Sequence, residues 1–305
     1  MNDFSCVVAA ATNQPRTRSN VLLCTPGSLF RSVRTISRTW GGLIGLSIVT
    51  AMIVLAVFQP TLHDPIQQHI QNRLAAPSTE HWLGTDQLGR DLFSRLVVGS
   101  RPAMIVSVVT AAAALLAGGL IGTLAGYFGG IVDRIVVVLC DTLQSFPNLA
   151  LALVVIALIG PSFPVLIAVL IVAFTPYYAR VTRGLVLQIK ERPYIHAERS
   201  LGAGSFRIIV HHILPSVAPS MLTMVTMDIP TIITAESGLS FLGLGIRPPN
   251  PSWGGIMYEG FGRITSWPWG VVAASLAIVS ITLGFTLLGG RLKQMVGERN
   301  LGEPR

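Results

Sequence analysis

Apolar stretches long enough to cross a bilayer recur along this chain, and that recurrence constrains its fold more than any other feature. Hydrocarbon offers the backbone no hydrogen-bond partners, so roughly 20 apolar residues crossing its ~30 Å must close their hydrogen bonds internally, as a helix does. Only 12% of the 305 residues are charged and 51% are hydrophobic, whereas a soluble domain carries about 25% charge. The chain therefore reads as an all-α polytopic membrane protein with six transmembrane helices.

The spans fall at Trp40 to Phe58 (ended by Pro60), Ala103 to Tyr127, Ile135 to Ile159, Phe163 to Val181, Val217 to Leu239 and Pro268 to Leu288. They divide the chain into a polar tail at 1–39, expected to be partly disordered, and a first helix at 40–60. A polar segment at 61–102, a five-helix domain at 103–290 and a short tail at 291–305 follow. Gly118, Gly122, Gly126 and Gly130 recur every four residues, which puts a smooth stripe on one face of the second span for close helix packing. Gly160-Pro161-Ser162 makes a tight hairpin between the third and fourth spans. Pro147, Pro176 and Pro230 predict kinks in the third, fourth and fifth.

The net charge of +8 comes mostly from arginines at helix ends, without the basic-aromatic interleaving of a nucleic-acid surface. Topology explains them. With the N-terminus inside, five basic residues of the tail, Arg134, six from Arg180 to Arg207 and four after Gly290 lie in the cytoplasm. Arg73, Arg90, Arg95, Arg101, Arg247 and Arg263 lie outside, so the positive-inside rule selects both termini inside. Cys6, Cys24 and Cys140 are scattered, without metal or redox spacing, and read as reduced thiols. Leu22-Leu23-Cys24 lacks the preceding apolar stretch of a lipoprotein signal, and no cleaved leader is evident.

One polar stretch, 182–216, is built to meet another protein. A helix should break at Gly202 and restart toward Leu214-Pro215, giving two short helices at an angle. Tyr194, Ile195, Leu201 and Phe206 supply apolar knobs, with charge from Glu198, Arg199 and Arg207, and such a projection suits a partner's groove. The simpler alternative is an amphipathic helix on the membrane surface. His196, His211 and His212 lie here without supporting Cys or carboxylate clusters, so no metal site is assigned.

Three segments resemble one family. His196-Ala197-Glu198, then Gly202, then Leu214-Pro215 follow the frame of the EAA loop of ABC-importer permeases, in which Arg199, Ser200, Leu201, Ala203 and Phe206 also fall. His196, Glu198 and His212 depart from the pattern. His81-Trp82-Leu83-Gly84-Thr85-Asp86-Gln87-Leu88-Gly89-Arg90-Asp91 resembles the H-x-x-G-T-D-x-x-G-R-D signature of peptide-importer permeases. Leu239-Ser240-Phe241-Leu242-Gly243-Leu244-Gly245, with Pro248, Pro249, Pro251 and Trp253-Gly254, resembles their L-S-F-L-G-L-G segment. Gly289-Gly290 replaces the usual Gly-Asp near the end. Together these are similar to the C-type (DppC/OppC-type) permease subunits of dipeptide and oligopeptide importers.

That resemblance implies a type I ABC importer transmembrane fold in the bacterial inner membrane. It implies a B-type permease as heterodimer partner, two ATP-binding subunits, an extracellular substrate-binding protein and a peptide substrate. It also implies no cofactor on this chain, ATP and Mg being held by the partner ATPases. No Gly-x-x-x-x-Gly-Lys-Ser/Thr loop is present, consistent with a subunit that is not an enzyme. Asp141, Asp228 and Glu236 lie at or near membrane depth, where a carboxylate faces a cavity, a partner or a helix end. Asp228 and Glu236, eight residues apart, are expected on one side of the fifth span, lining the path or joining a polar cluster. Asp86, Arg90 and Asp91 either meet the binding protein or pair with one another to hold their loop. An ion-gradient carrier is the main rival, but no inverted repeat is visible. An intramembrane enzyme would need a Ser/His, paired-Asp or His-Glu-x-x-His set in its spans, and none occurs.

Overall fold

A computed structural model describes residues 39–301 other than 60 and 62, with side chains described as far as Gln294. Cys6, Cys24, Pro60 and nearly all of the 1–39 tail lie outside the described residues. Among those described there are helices, one isolated bridge between Thr85 and Asp91, and no strand.

The first helix, α1 (Trp40–Phe58), coincides with its expected span. The second, α2 (Leu92–Phe128), is 37 residues long and begins eleven residues before the apolar run does. Its start is chemical. The Asp91 carboxylate accepts from the Ser94 backbone N–H at 2.8 Å, capping donors that a first turn leaves free. Polar Ser94, Arg95 and Ser100 are buried inside this extension, which a hydropathy window reads as loop.

The third span is not one helix. It divides into α3 (Gly130–Gln144) and α4 (Asn148–Ile159), bent by 83°. Pro147 lacks an N–H and pushes Phe146 out of the helical region, so the expected kink becomes a break. The start of α3 follows the end of α2, where the Lys190 ammonium donates to the Gly126 carbonyl at 2.9 Å. Pro161 and Ser162, just past α4, share a cavity wall with Gln59, Arg101 and Arg247 at the opposite end of the bundle. The bent pair thus carries the chain from one end to the other and counts as one crossing, giving six with the five long apolar helices.

The fourth span extends to form α5 (Phe163–Lys190). Short α6 (Pro193–Ser200) follows, then α7 (Ser205–Ile208), a π-turn at Ile209–Ile213 and α8 (Leu214–Phe241). The expected interruption before Leu214-Pro215 is absent, and Ser205–Phe241 runs as one helix of 37 residues. A π-turn widens the backbone ring directly before Pro215, whose ring would otherwise press on the carbonyl four residues back. The Ser216 hydroxyl donates to the His212 carbonyl at 2.6 Å, satisfying an acceptor in that turn. Pro176 and Pro230 sit inside helices that continue through them. The chain closes with α9 (Trp253–Phe261) and α10 (Trp269–Leu301), so most of the expected 291–305 tail continues the last helix.

The glycine stripe decides the central contact, that of α2 with α5. A Cβ on Gly118 would lie 2.6 Å from the Thr175 carbonyl oxygen, and one on Gly122 would lie 2.3 Å from that of Ala179. One on Gly126 would sit 3.0 Å from the Arg183 oxygen. Backbones this close tolerate no side chain between them. Gly130 does not take part; with φ +60° and open space around it, it starts α3 instead.

Candidate functional site: the coupling segment and the polar clusters

Between α5 and the long helix only residues 191–204 remain outside, so the projecting segment is shorter than the expected 182–216. Pro193 opens α6 at a first-turn position, where its missing N–H leaves no bond unmade. Gly202 closes it with φ +86°. Its N–H donates to the Arg199 carbonyl and the Ala203 N–H to that of Glu198, both at 3.0 Å, the paired bonds of a Schellman end. A Cβ on Gly202 would meet nothing within 4 Å, so the requirement for glycine there is purely one of backbone angle.

The segment has an anchored side and an open side. Ile195, Ile208 and Ile213 are fully buried, which corrects the expectation that Ile195 is a knob. Leu201 is 83% and Phe206 80% exposed, with Tyr194 beside them at 40%. His196, Ala197, Arg199, Ser200, Leu214 and Pro215 are also exposed, and Ala203 is half-buried. The Arg199 guanidinium lies 5.3 Å from the centre of the buried Tyr127 ring, tying α6 to the end of α2. The residues that depart from the family frame pair within the chain: Glu198 with His212 at 3.7 Å, and His196 with Glu191 at 3.6 Å.

The three membrane-depth acids part company. Asp141 pairs with Arg180, and Asp133 with Arg183 (2.7 Å to Nη2), so both ion pairs join α3 to α5. Asp228 lines a cavity of about 440 Å³ at the α3–α4 break, with Gln144, Phe146, Asn148 and Tyr177. Glu236 sits in different surroundings. It is fully buried, accepting from the Ser240 hydroxyl at 2.7 Å and the Ser237 hydroxyl at 3.2 Å. Eight residues at about 100° each leave Asp228 and Glu236 roughly 80° apart around the helix, so one meets the cavity while the other sits in a small polar cluster with Ser237 and Ser240. Ser240 Oγ in turn accepts from the Ile246 N–H, so Glu236 organises the Leu239–Gly245 turn.

At the opposite end, Gly84-Thr85-Asp86 and Gly89-Arg90-Asp91 form a closed cluster. Asp86 Oδ1 accepts from the Leu88 and Arg90 N–H groups, and Oδ2 from Arg90 Nε (2.7 Å) and Arg95 Nη1. Both guanidiniums also donate to Glu259 of α9, at 2.5–3.0 Å. The Thr85 hydroxyl donates to the Asn72 carbonyl. A Cβ on Gly89 would lie 1.8 Å from the His69 oxygen, which explains glycine there. Asp86, Arg90, Asp91 and Arg95 are each at most 4% exposed. The pairs are therefore interior rather than surface features. Glu259, which sequence reasoning did not single out, completes them from 164 residues downstream of Arg95.

Residues 118–299 match the family model described as binding-protein-dependent transport system inner membrane component. The chain belongs to that family. It is 34% identical to the dipeptide transport system permease protein DppC of Alkalihalophilus pseudofirmus, over 82% of this chain and 83% of that one. It is 38% identical to the glutathione transport system permease protein GsiD of Escherichia coli O6:K15:H31, over 83% and 85%. The MetNI methionine ABC transporter, in an inward-facing conformation, has the same fold: TM-score 0.56, 21% identity, covering 67% of this chain and 97% of the matched chain. This permease subunit is thus a multi-pass protein of the bacterial inner membrane with a type I ABC importer transmembrane fold. It works with ATPase and substrate-binding partners, as its family description implies. The ion-gradient carrier is not favoured.

Proposed function

We propose that this permease forms half of a path for dipeptides or oligopeptides, completed by a B-type permease and driven by two ATPases that dock on α6 and the start of α7. An extracellular binding protein delivers the peptide, and lipid surrounds the outer helix faces. ATP and Mg belong to the ATPases, and this chain contributes no catalytic group. In this reading both termini and the 191–204 segment lie in the cytoplasm, as the distribution of basic residues favours. Relatives named for dipeptide and glutathione transport support a small-peptide substrate. Asp228, facing the cavity at the break, is the acid of this chain suited to attract a peptide's amino group.

One observation carries the coupling role. Leu201 and Phe206, more than three-quarters exposed, flank a Schellman turn whose far side is anchored by Ile195 and Ile208. A rigid elbow offering two large apolar side chains fits a groove on another protein. ATP closure of the ATPases would move the elbow, and α5 and the long helix would tilt with it.

The test is Gly202→Val. A β-branched residue at φ +86° is strained by ~1–2 kcal/mol, enough to remodel the elbow without unseating the buried spans. The variant should insert and assemble, hydrolyse ATP, and lose at least tenfold in peptide uptake into vesicles. Wild-type uptake by a correctly inserted variant would sink the coupling assignment.

A further inference from the structure

We infer that His63, His81 and Asp91 form a site for a divalent transition metal, zinc in the first instance, that clips the segment after α1 to the start of α2. Two imidazoles and a carboxylate are hard for Mg²⁺ or Ca²⁺ to use, since those ions take oxygen, and suit Zn²⁺ or its spectroscopic substitute Co²⁺. The ligand atoms all lie within 4.8 Å of one another. His81 Nδ1 is 2.9 Å from Asp91 Oδ1, and His63 Nδ1 is 4.0 Å from the same oxygen. Bonds of about 2.0–2.1 Å in a tetrahedral shell put ligand atoms about 3.3 Å apart. The two observed separations bracket that value, so small side-chain rotations bring all three onto one ion. A water fills the fourth position.

A second observation points to a ligand. His63 Nδ1 is buried and has no hydrogen-bond partner. Desolvating a ring nitrogen without a partner is unfavourable, and native structures rarely do so unless the nitrogen serves a ligand. The surroundings hold the ligands in place as an outer shell does in metal sites. Asp91 Oδ2 is fixed by the Ser94 backbone N–H, and the backbone N–H groups of His63 and His81 donate to the Ser94 and Ser78 hydroxyls, which holds the two ligand residues at their places in the chain. Arg90 and Arg95 are directed to Asp86 and Glu259, leaving Asp91 without a cation. His63 is about one-third exposed, which provides an entry route, while His81 and Asp91 lie behind it. Zinc takes the His81 Nδ1 lone pair, so that ring carries its proton on Nε2.

The experiment uses the full-length, untagged chain in its assembled transporter, stripped with a chelator and titrated with Zn²⁺ against a chromophoric competitor. His63→Ala is the informative variant, because it leaves the His81–Asp91 hydrogen bond and the Asp91 cap intact. We expect one tightly held zinc per wild-type chain, at least tenfold weaker binding in His63→Ala, and a melting temperature raised by zinc only in the wild type. Co²⁺ should give a tetrahedral visible spectrum that His63→Ala abolishes and His196→Ala/His212→Ala leaves unchanged. The assignment is overturned if no stoichiometric zinc binds, if His63→Ala binds as tightly, or if the signal follows His196 and His212 instead. Should His63→Ala not fold, His63→Gln, which keeps a polar group but not the imidazole, is read by the same criteria.

Discussion

The two ends of this permease use their charged residues in opposite ways. At the Gly84–Arg95 end, buried Arg90, Arg95 and Asp86 pair with one another and with the largely buried Glu259 of α9. At the Tyr194–Phe206 end Arg199 is exposed, Glu198 partly so, and the largest apolar side chains face outward. The first end is complete within the chain. The second leaves its large apolar side chains uncovered within the chain, which is the contrast on which the proposed docking role rests.

Substitutions can break that contrast, and the largest effect belongs to the clamp. Arg95→Ala leaves Asp86 and Glu259 buried with a single arginine between them, and removing one member of a buried ion cluster costs about 3–5 kcal/mol. Thermal unfolding of the purified subunit should show severe destabilisation, or yields should collapse. An unchanged melting temperature would move this cluster to the surface. Phe206→Ala should do the reverse. Its ring is 80% exposed, so the chain keeps its stability while affinity for the ATPase falls roughly tenfold or more, as for an interface anchor. Co-purification titrations measure this. The smallest effect is expected from Glu198→Ala, because the Glu198–His212 pair is partly exposed and worth ~0.2–1 kcal/mol, less at high salt. A large loss there would show that this pair sets the elbow's shape.

Much of this was legible in the residues. Gly202 after an amphipathic turn is a helix-stop signal, acting through local backbone chemistry that sequence displays directly. The early start of α2 was hidden because Ser94, Arg95 and Ser100 are polar, and only Glu259 and the folded loop make their burial tolerable. Pro147 announced a bend but not its 83°, and the contacts that hold α3 on α5, Asp133–Arg183 and Asp141–Arg180, join residues 50 and 39 positions apart. The continuous helix through Pro215 was not legible because a π-turn leaves no compositional mark. Glu236 and Asp228 have the same chemistry in the sequence. Their neighbours, two serines in one case and an open cavity in the other, give them different surroundings.

The unbroken run from Ser205 to Phe241 has a mechanical consequence. At about 1.5 Å per residue, 37 residues make a strut roughly 55 Å long. Pivoted at the Gly202 elbow, a tilt of about 5° at the base sweeps the far tip by about 5 Å, given that length. A movement too small to disturb the Schellman turn is thereby magnified to the width of a helix radius at the Leu239–Gly245 turn. In the proposed coupling, the gearing between motion at the elbow and the opposite end of the bundle would be set by the length of one rod.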